Sequence, residues 1–336
     1  MSTSAKNVPA ATDVARLAGV SQSAVSRAFT SGASISSKTR SKVMAAAEEL
    51  GYRPNQLARS LLRGRSQLIG VVLGNMENPF FPLALETLSK QLNTHGHKTL
   101  VFTNEANQQA DTSIEDMLNY RVDALILMAT TLSSSLAEQC QAAGIPVVFV
   151  NRISHAMCCS SVTGDNDHGA RLIAQHLVDA GYQRIAFMAG IETSSTSRDR
   201  ELAFTDALIA MGRDKPMRVV GHFNRVGAMQ AMRQLLEQAQ RPDAVFCAND
   251  HMAMAAIDVA RYEYSLTPGT DIGIAGFDDI PHAHWPGYDI TTYSQPLDAL
   301  ISQAVERVLS QSNQYDAIHT VVKGNLIMRS STSPTQ

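Results

Sequence analysis

The chain has 336 residues, 44% of them hydrophobic and 18% charged, with a formal net charge of -3. That length exceeds one small domain, and the composition is that of a globular chain with a sizeable core, which excludes a disordered or fibrous protein. No apolar run approaches the ~18 residues of a membrane span, MSTSAKNVPA lacks an apolar signal core, and four cysteines without CxxC spacing suit a reducing compartment, so a cytoplasmic protein is expected.

The charge is unevenly placed. Residues 1–66 hold ten Lys/Arg against three acids, a balance of +7, while the rest holds 18 against 28, a balance of -10. A basic head on an acidic body points to a polyanionic partner for the head alone. Residues 11–51 read as three short helices. Thr12 to Ala18 form the first and Gly19 stops it, since glycine enters the left-handed cap without strain. Ser21 caps the second, its hydroxyl accepting from unpaired backbone N–H groups. The third runs from Ser37 to Leu50, with Val43, Ala46, Ala47 and Leu50 on one face and Gly51 as its stop. In the second helix Val25, Ala28 and Phe29 share an inner face, whereas Gln22, Ser23, Ser26 and Arg27 face outward.

Two helices joined by a Gly-Val turn, the second with a polar face, are the parts of a helix-turn-helix that reads the DNA major groove. Gln22 suits adenine, Arg27 suits guanine, and the serines suit phosphate or either base. The bland alternative is a small helical bundle with a solvated face. Beyond Pro54, NQLARSLLRGRS is a short basic segment with Leu57 and Leu61 four apart on one helical face. So short a helix is marginal in water and suits a segment ordered by a partner, or else it is a basic linker with incidental leucines.

From Leu68 the texture changes. The runs LIGVVL, KTLVFT, VDALILMA, IPVVFV, RIAFMAG, PDAVFCA and DIGIAGF have strand length and alternate with helical patterns, which predicts doubly wound parallel sheets. Two sheets fit the length better than one, with crossovers expected between Asn151 and Asp165 and near Asp289 to Gln295. Two α/β lobes leave a cleft at the carboxyl ends of their strands. Polar residues stand there: Asn75, Asn151, Asn249, Asp250 and Asp278. Arg198 and Arg200 lie near a helix start, and a guanidinium opposite Asp278 can grip a polyol, each hydroxyl donating to the acid and accepting from the base. Phe81, Phe223 and Trp285 are candidate stacking surfaces for a sugar. GxGxxG, GxxxxGK[ST] and GxSxG are absent from the sequence, and His282 and His284 in HAHW lack companions for a metal, so no enzyme, cofactor or metal is expected.

The stretches DVARLAGVS, VSRAF, KTR, ELGYRPN and LARSL, leading into IGVV, resemble the amino-terminal signature of the lactose-repressor/galactose-repressor (LacI/GalR) family. NPFF, VNR, SRDRELAF, FCANDHMAM and GFDDI resemble its ligand-domain motifs, so the likeness runs the length of the chain. The resemblance implies an all-α helix-turn-helix head with a hinge helix, followed by a two-lobed periplasmic-binding-protein-like α/β body of doubly wound parallel sheets. The implied domains are 1–53 for DNA binding, 54–66 for the hinge, and 67–336 for effector binding and dimerisation, with one lobe about 67–163 plus 293–325 and the other about 164–292. It further implies that Gln22 and Ser23 read bases, that Arg27 contacts base or phosphate, and that Ser21, Ser26, Thr39 and Asn55 contact phosphate or cap helices. Paired hinge segments would enter the minor groove, Leu57 and Leu61 facing it and Leu61 wedging a base step.

In the body, Asn151, Arg200, Phe223, Asn249 and Asp278 match positions that contact the effector in the family. Two departures stand out: Asn151 occupies a position where many relatives carry Asp, and ELAF lacks the commoner Gly before Phe. The implied protein is a homodimeric repressor of a near-palindromic operator in duplex DNA, controlled by a sugar or sugar-acid effector. The tail MRSSTSPTQ shows no leucine heptads for a tetramer. Other classes to weigh are a transporter's solute-binding protein, a cytosolic sugar-binding protein and a sugar-modifying enzyme. The basic head opposes the first, and the lack of an evident base or nucleophile beyond Asp278 opposes the last.

Overall fold

The computed structural model describes residues 9–30, 32–54, 65–104, 109–153, 158–310 and 317–332. The chain divides into two compact units, 1–66 and 67–336. Asn55, Leu57 and Leu61 lie outside the described residues, as does most of the expected hinge segment.

The first unit is three helices: α1 (Ala11–Ala18), α2 (Gln22–Ala28) and α3 (Ser37–Leu50). Local chemistry sets their ends. Gly19 and Gly51 both take φ 65° and close α1 and α3 through backbone N–H bonds to the last turn. Ser21 Oγ accepts from Ala24 N at 3.3 Å, and Ser36 Oγ accepts from Thr39 N at 3.1 Å. Val14, Val25, Ala28, Val43, Ala46 and Ala47 form one small buried core, lined by Phe29 edge-on to Tyr52 at 5.8 Å. So small a core leaves little margin, and the caps matter accordingly.

The second unit is two α/β lobes. The first lobe contains β1 (Leu68–Leu73), α4 (Phe80–Thr94), β2 (Lys98–Thr103), α5 (Asp111–Asn119), β3 (Ala124–Met128), α6 (Ser134–Ala142), β4 (Val147–Val150) and β5 (Ser160–Gly164). The second contains α7 (Asn166–Asp179), β6 (Ile185–Ala189), α8 (Ser195–Ala210), β7 (Met217–Val220), α9 (Arg225–Leu236), β8 (Ala244–Cys247), α10 (Asp250–Tyr264), β9 (Gly273–Asp278) and β10 (Thr291–Ser294). The chain then returns to the first lobe for α11 (Leu297–Leu309) and β11 (His319–Val322), and crosses a third time to β12 (Asn325–Ile327) in the second sheet. This third passage, across Lys323 and Gly324, has no counterpart in the expected boundaries; it carries the described end of the chain into the second lobe, where Ser331 and Thr332 are buried.

The sheet orders are β11-β5-β4-β3-β1-β2 and β12-β10-β9-β8-β6-β7, parallel throughout except for β12 against β10. Helices cover both faces, so the central strands read as unbroken apolar runs. In the first lobe, Leu88 and Leu92 of α4 and Leu300 and Ile301 of α11 cover one face, while Ile114 and Met117 of α5 and Leu136 of α6 cover the other. All four cysteines are free, with Cys158 and Cys159 Sγ atoms 4.0 Å apart. Among the described residues no helix is long and apolar enough to cross a membrane.

In both lobes the strand order reverses beside the first strand, between β1 and β3 and between β6 and β8. The connections that leave strands on either side of such a reversal run to opposite faces, and the gap between them is where doubly wound sheets bind ligands.

Candidate functional site

Each unit presents one candidate surface. On the first, Gln22, Ser23, Ser26 and Arg27 of α2 are all exposed, while Val25 and Ala28 are buried beneath them. Arg27 lies along the helix, its Nε donating to Ser23 O at 3.3 Å and its Nη2 to Ser23 Oγ at 3.4 Å. These neutral bonds hold the guanidinium over Ser23 without cancelling its charge. Ser21 spends its hydroxyl on the cap and also meets Ser23 Oγ at 2.9 Å. Ser26 O accepts from Thr30, and Thr39 is half-buried with its hydroxyl 2.8 Å from Ser36 Oγ. A solvated face bearing an amide, hydroxyls and a guanidinium thus stands on a packed base.

On the second unit, a cleft of about 420 Å³ lies between the lobes. It is lined from the first lobe by Asn75, Asn78, Phe81, Asn151 and Arg152, and from the second by Thr196, Arg200, Phe223, Asn249 and Asp278, with Ala129 and Ile191 completing it. Seven of the eight expected cleft residues therefore converge. Trp285 does not. The 3₁₀ turn Pro281–His284 buries Ala283 and turns Trp285 outward, 53% exposed and stacked on His282 at 4.4 Å, outside the cleft lining.

Backbone strain marks the same places. Asn75, Ala129, Asn151, Phe223 and Asp278 line the cleft with φ of 56°, 54°, 57°, 55° and 115°. Each follows or ends a strand: β1, β3, β4, β7 and β9. Left-handed backbone costs a non-glycine residue about 1–2 kcal/mol, most for a bulky one such as Phe223. The kinks turn the chain out of the sheet where its side chains meet the cleft. Phe223 fits only because Gly190, at the end of β6, has no Cβ: one placed there would enter the Phe223 ring.

At the base of the cleft Arg200 is 2% exposed. Its Nε donates to Asn166 Oδ1 at 2.8 Å, its Nη1 to Ala248 O at 2.5 Å, and its guanidinium carbon sits 3.6 Å over the Phe277 ring. Nη2 lies 3.5 Å from Asp278 Oδ1, too long for a good hydrogen bond, and has no hydrogen-bond acceptor among the described residues. Asp278 accepts from Gln295 Nε2 at 2.7 Å. Burial pushes its carboxyl up to about 6, against the downward pull of Arg200, Gln295 and Asn78. Burial likewise lowers Arg200, opposed chiefly by Asp278. Behind them Asp250 is pushed well above the carboxylate range by burial and by Asp278. The result is a donor and an acceptor side by side, dry and already oriented, which is the requirement for gripping neighbouring hydroxyls.

The lobes touch across the cleft through Asn75 Nδ2 donating to Phe223 O at 3.3 Å, Arg152 Nη2 to Ser194 Oγ at 3.3 Å, and Ile153 N to Ser195 Oγ at 3.1 Å. Asn249 Oδ1 caps α10 by accepting from Met252 N at 3.0 Å, which fixes its amide at the cleft wall. Asn151 Oδ1 is buried with no hydrogen-bond partner among the described residues. Asn78 and Thr196 were not among the expected residues. Asn78 sits three residues beyond Asn75 and Thr196 opens a helix, so spacing and helix position were the available signals. His282 and His284 pair with Trp285 and, at 3.0 Å, with Asp279. No group of three or more His, Cys, Asp or Glu among the described residues is arranged to hold a metal ion.

Two family models match the chain: bacterial regulatory proteins, lacI family, over residues 12–55, and periplasmic binding proteins and sugar binding domain of LacI family, over residues 66–283. The chain is 32% identical to the ribose operon repressor of Escherichia coli K12 over 306 residues, 90% of this chain and 92% of that protein. It is 30% identical to the HTH-type transcriptional regulator GalR of the same organism over 326 residues, 96% and 95% of the two chains. Among solved structures, the lac repressor dimer bound to operator and the anti-inducer ONPF matches with TM-score 0.86 at 28% identity, covering 97% of this chain and all of that one.

Proposed function

The chain belongs to the LacI family of bacterial regulatory proteins, and from that premise we propose how its two surfaces work together. It is a sequence-specific DNA-binding transcription regulator, a repressor controlled by a sugar or sugar-derived effector. Gln22, Ser23 and Arg27 read base edges in the major groove, and Ser26, Thr39 and the caps Ser21 and Ser36 lie toward phosphate. Two copies place two heads on half-sites about one helical turn apart, so the operator is near-palindromic. Asn55, Leu57 and Leu61 belong to a hinge whose paired leucines enter the minor groove. Its relatives are DNA-binding regulators rather than enzymes, and the same reading puts this protein in the cytoplasm, with its DNA.

In the body, Arg200 donates to, and Asp278 accepts from, adjacent effector hydroxyls, while Phe81 and Phe223 pack its apolar face. Asn75, Asn151 and Asn249 supply amides around them. The effector is bound and released unchanged. Its contacts span both lobes, so it favours the closed arrangement. In a dimer, closure shifts the lobes and with them the spacing of the segments at 54–66. It biases operator binding only by the difference in its affinity for the two arrangements.

One observation carries this reading: a buried guanidinium with an open donor stands beside a carboxylate in a cleft, on a chain whose other unit carries the surplus positive charge. The test is binding of the full-length protein to genomic fragments, with and without a panel of sugars, sugar acids and nucleosides. Selection of particular fragments, altered by one panel member, is expected. Affinity should fall steeply with salt, by a factor of roughly 10³–10⁵ between about 50 and 200 mM if six to ten phosphates are contacted. Equal binding to all fragments under every condition overturns it.

A further inference from the structure

We propose that Gln295 is a positioning residue that braces Asp278 against the crossovers between the lobes, so that a ligand held at Asp278 sets how the lobes meet. This rests on the reading of the cleft as the effector site and names one residue through which that site is regulated. Gln295 is not among the residues lining the cleft. It stands where the chain leaves β10 of the second lobe for α11 of the first, and it is 4% exposed.

The two ends of its amide have different neighbours. Nε2 donates to Asp278 Oδ1 at 2.7 Å. That bond orients the amide, because a carboxylate accepts and only the nitrogen end donates. Oε1 abuts Gly164, the last residue of β5, where the chain first crosses from one lobe to the other. A Cβ on Gly164 would overlap Oε1. The φ of Gly164 is not positive, so a glycine is needed there for room and not for its backbone angle. Oε1 is buried and accepts no hydrogen bond among the described residues, so its contact with Gly164 is one of packing. A single side chain thus touches the effector's acceptor at one end and the first crossover at the other, while its backbone forms the second.

The surroundings leave little slack. Pro296 restricts Gln295 to extended backbone, and Gln295 N donates to Asp278 O at 3.4 Å. One residue back, the Tyr293 hydroxyl accepts from Gly324 N at 2.6 Å, which ties the second crossover to the third. The same Tyr293 ring packs on Phe277 at 4.8 Å, beneath the Arg200 guanidinium. Both members of the pair that grips hydroxyls are therefore connected to the crossovers, Asp278 through Gln295 and Arg200 through Phe277 and Tyr293. Resonance keeps the Gln295 amide planar, so Nε2 follows a displaced carboxylate only if Oε1 moves against Gly164. A hydroxyl that draws on Asp278 is felt at the crossovers, and this difference between arrangements is what lets an effector shift their balance.

The experiment uses the full-length protein and, as operator, the genomic fragment that it selects. The probes are D-ribose, D-galactose, D-gluconate and adenosine, and the one that raises the parent's melting temperature most is used at saturation throughout. Fluorescence anisotropy reads operator affinity with and without that probe, and calorimetry reads the affinity of the probe itself. In the parent the two operator affinities should differ by about fivefold or more, the usual range of allosteric coupling. Gln295→Met keeps the length and burial but loses the bond to Asp278, and Gly164→Ala presses on Oε1 from outside the cleft. Each should bring the ratio below about twofold with the probe still bound, a loss of coupling that saturation does not restore. Linkage supplies a second readout: in both variants the probe should bind free and operator-bound protein equally well. Circular dichroism checks folding, and if Gln295→Met does not fold, Gly164→Ala alone decides. A parental ratio at saturation in either folded variant, with only the probe's affinity reduced, makes Gln295 a support for Asp278 alone and overturns the proposal while the effector-site reading stands. If no probe binds the parent, or a bound probe leaves its operator affinity unchanged, that reading falls and the proposal with it.

Discussion

Asp278→Asn separates what the cleft does for stability from what it does for binding. The carboxyl of Asp278 sits at about 6, where 3.8 is ordinary, because burial outweighs the help of Arg200, Gln295 and Asn78. At about 1.4 kcal/mol per tenfold, keeping it ionised in place costs roughly 3 kcal/mol at pH 8. The sign follows from the raised value: this cost is present above the folded value near 6 and disappears as pH falls toward the unfolded one. An asparagine keeps the shape and can still accept from Gln295, so it removes the cost and retains that bond. The ligand-free variant should therefore be more stable than the parent by up to about 3 kcal/mol at pH 8, and by little at pH 4. Effector binding should move the other way, losing about 1.5–3 kcal/mol, or tenfold to a hundredfold, with the charged acceptor. Urea unfolding of the full-length protein at both pH values, with calorimetry on whichever effector shifts the parent most, measures the two effects. A variant less stable than the parent at pH 8 refutes the reasoning, since attraction to Arg200 would then exceed the cost of burial.

Three further outcomes are expected. Gln22→Ala and Arg27→Ala should weaken binding to the selected operator by about 1–3 kcal/mol each and to random duplex far less, as read by fluorescence anisotropy; equal losses on both would remove these side chains from base readout. Gly190→Ala should displace the Phe223 ring, since its new Cβ would occupy the space of that ring, and lower effector affinity by roughly tenfold or more; unchanged affinity would show that Phe223 does not pack the ligand. Effector affinity should decline as pH falls through about 6, because a protonated Asp278 loses its charged acceptor oxygens; a titration by calorimetry that is flat from pH 5 to about 8 would place the ligand away from that carboxylate.

The amino-acid sequence by itself determined the three-helix unit, because its punctuation is local. Gly19 and Gly51 end helices through a backbone angle that glycine adopts cheaply, and Ser21 starts one through a bond to a residue three positions on. The long apolar strands were legible for a related reason: buried on both faces, β1, β3, β6, β8 and β9 keep unbroken hydrophobic runs. Strands β5 and β7 were not legible. SSVTG and MRVV carry polar residues and become strands only by pairing with β4 and β6.

The cleft divides in the same way. A polar residue after an apolar run signals a strand end, and so Asn75, Asn151, Asn249 and Asp278 could be read from their neighbours. That Trp285 turns away, that Gly190 makes room for Phe223, and that Arg152 reaches the start of α8 depend on residues far apart in the chain. Short-range rules fix backbone angles and caps. Which side chains share a dry space, and therefore which charges must answer one another, is settled only when the two lobes come together.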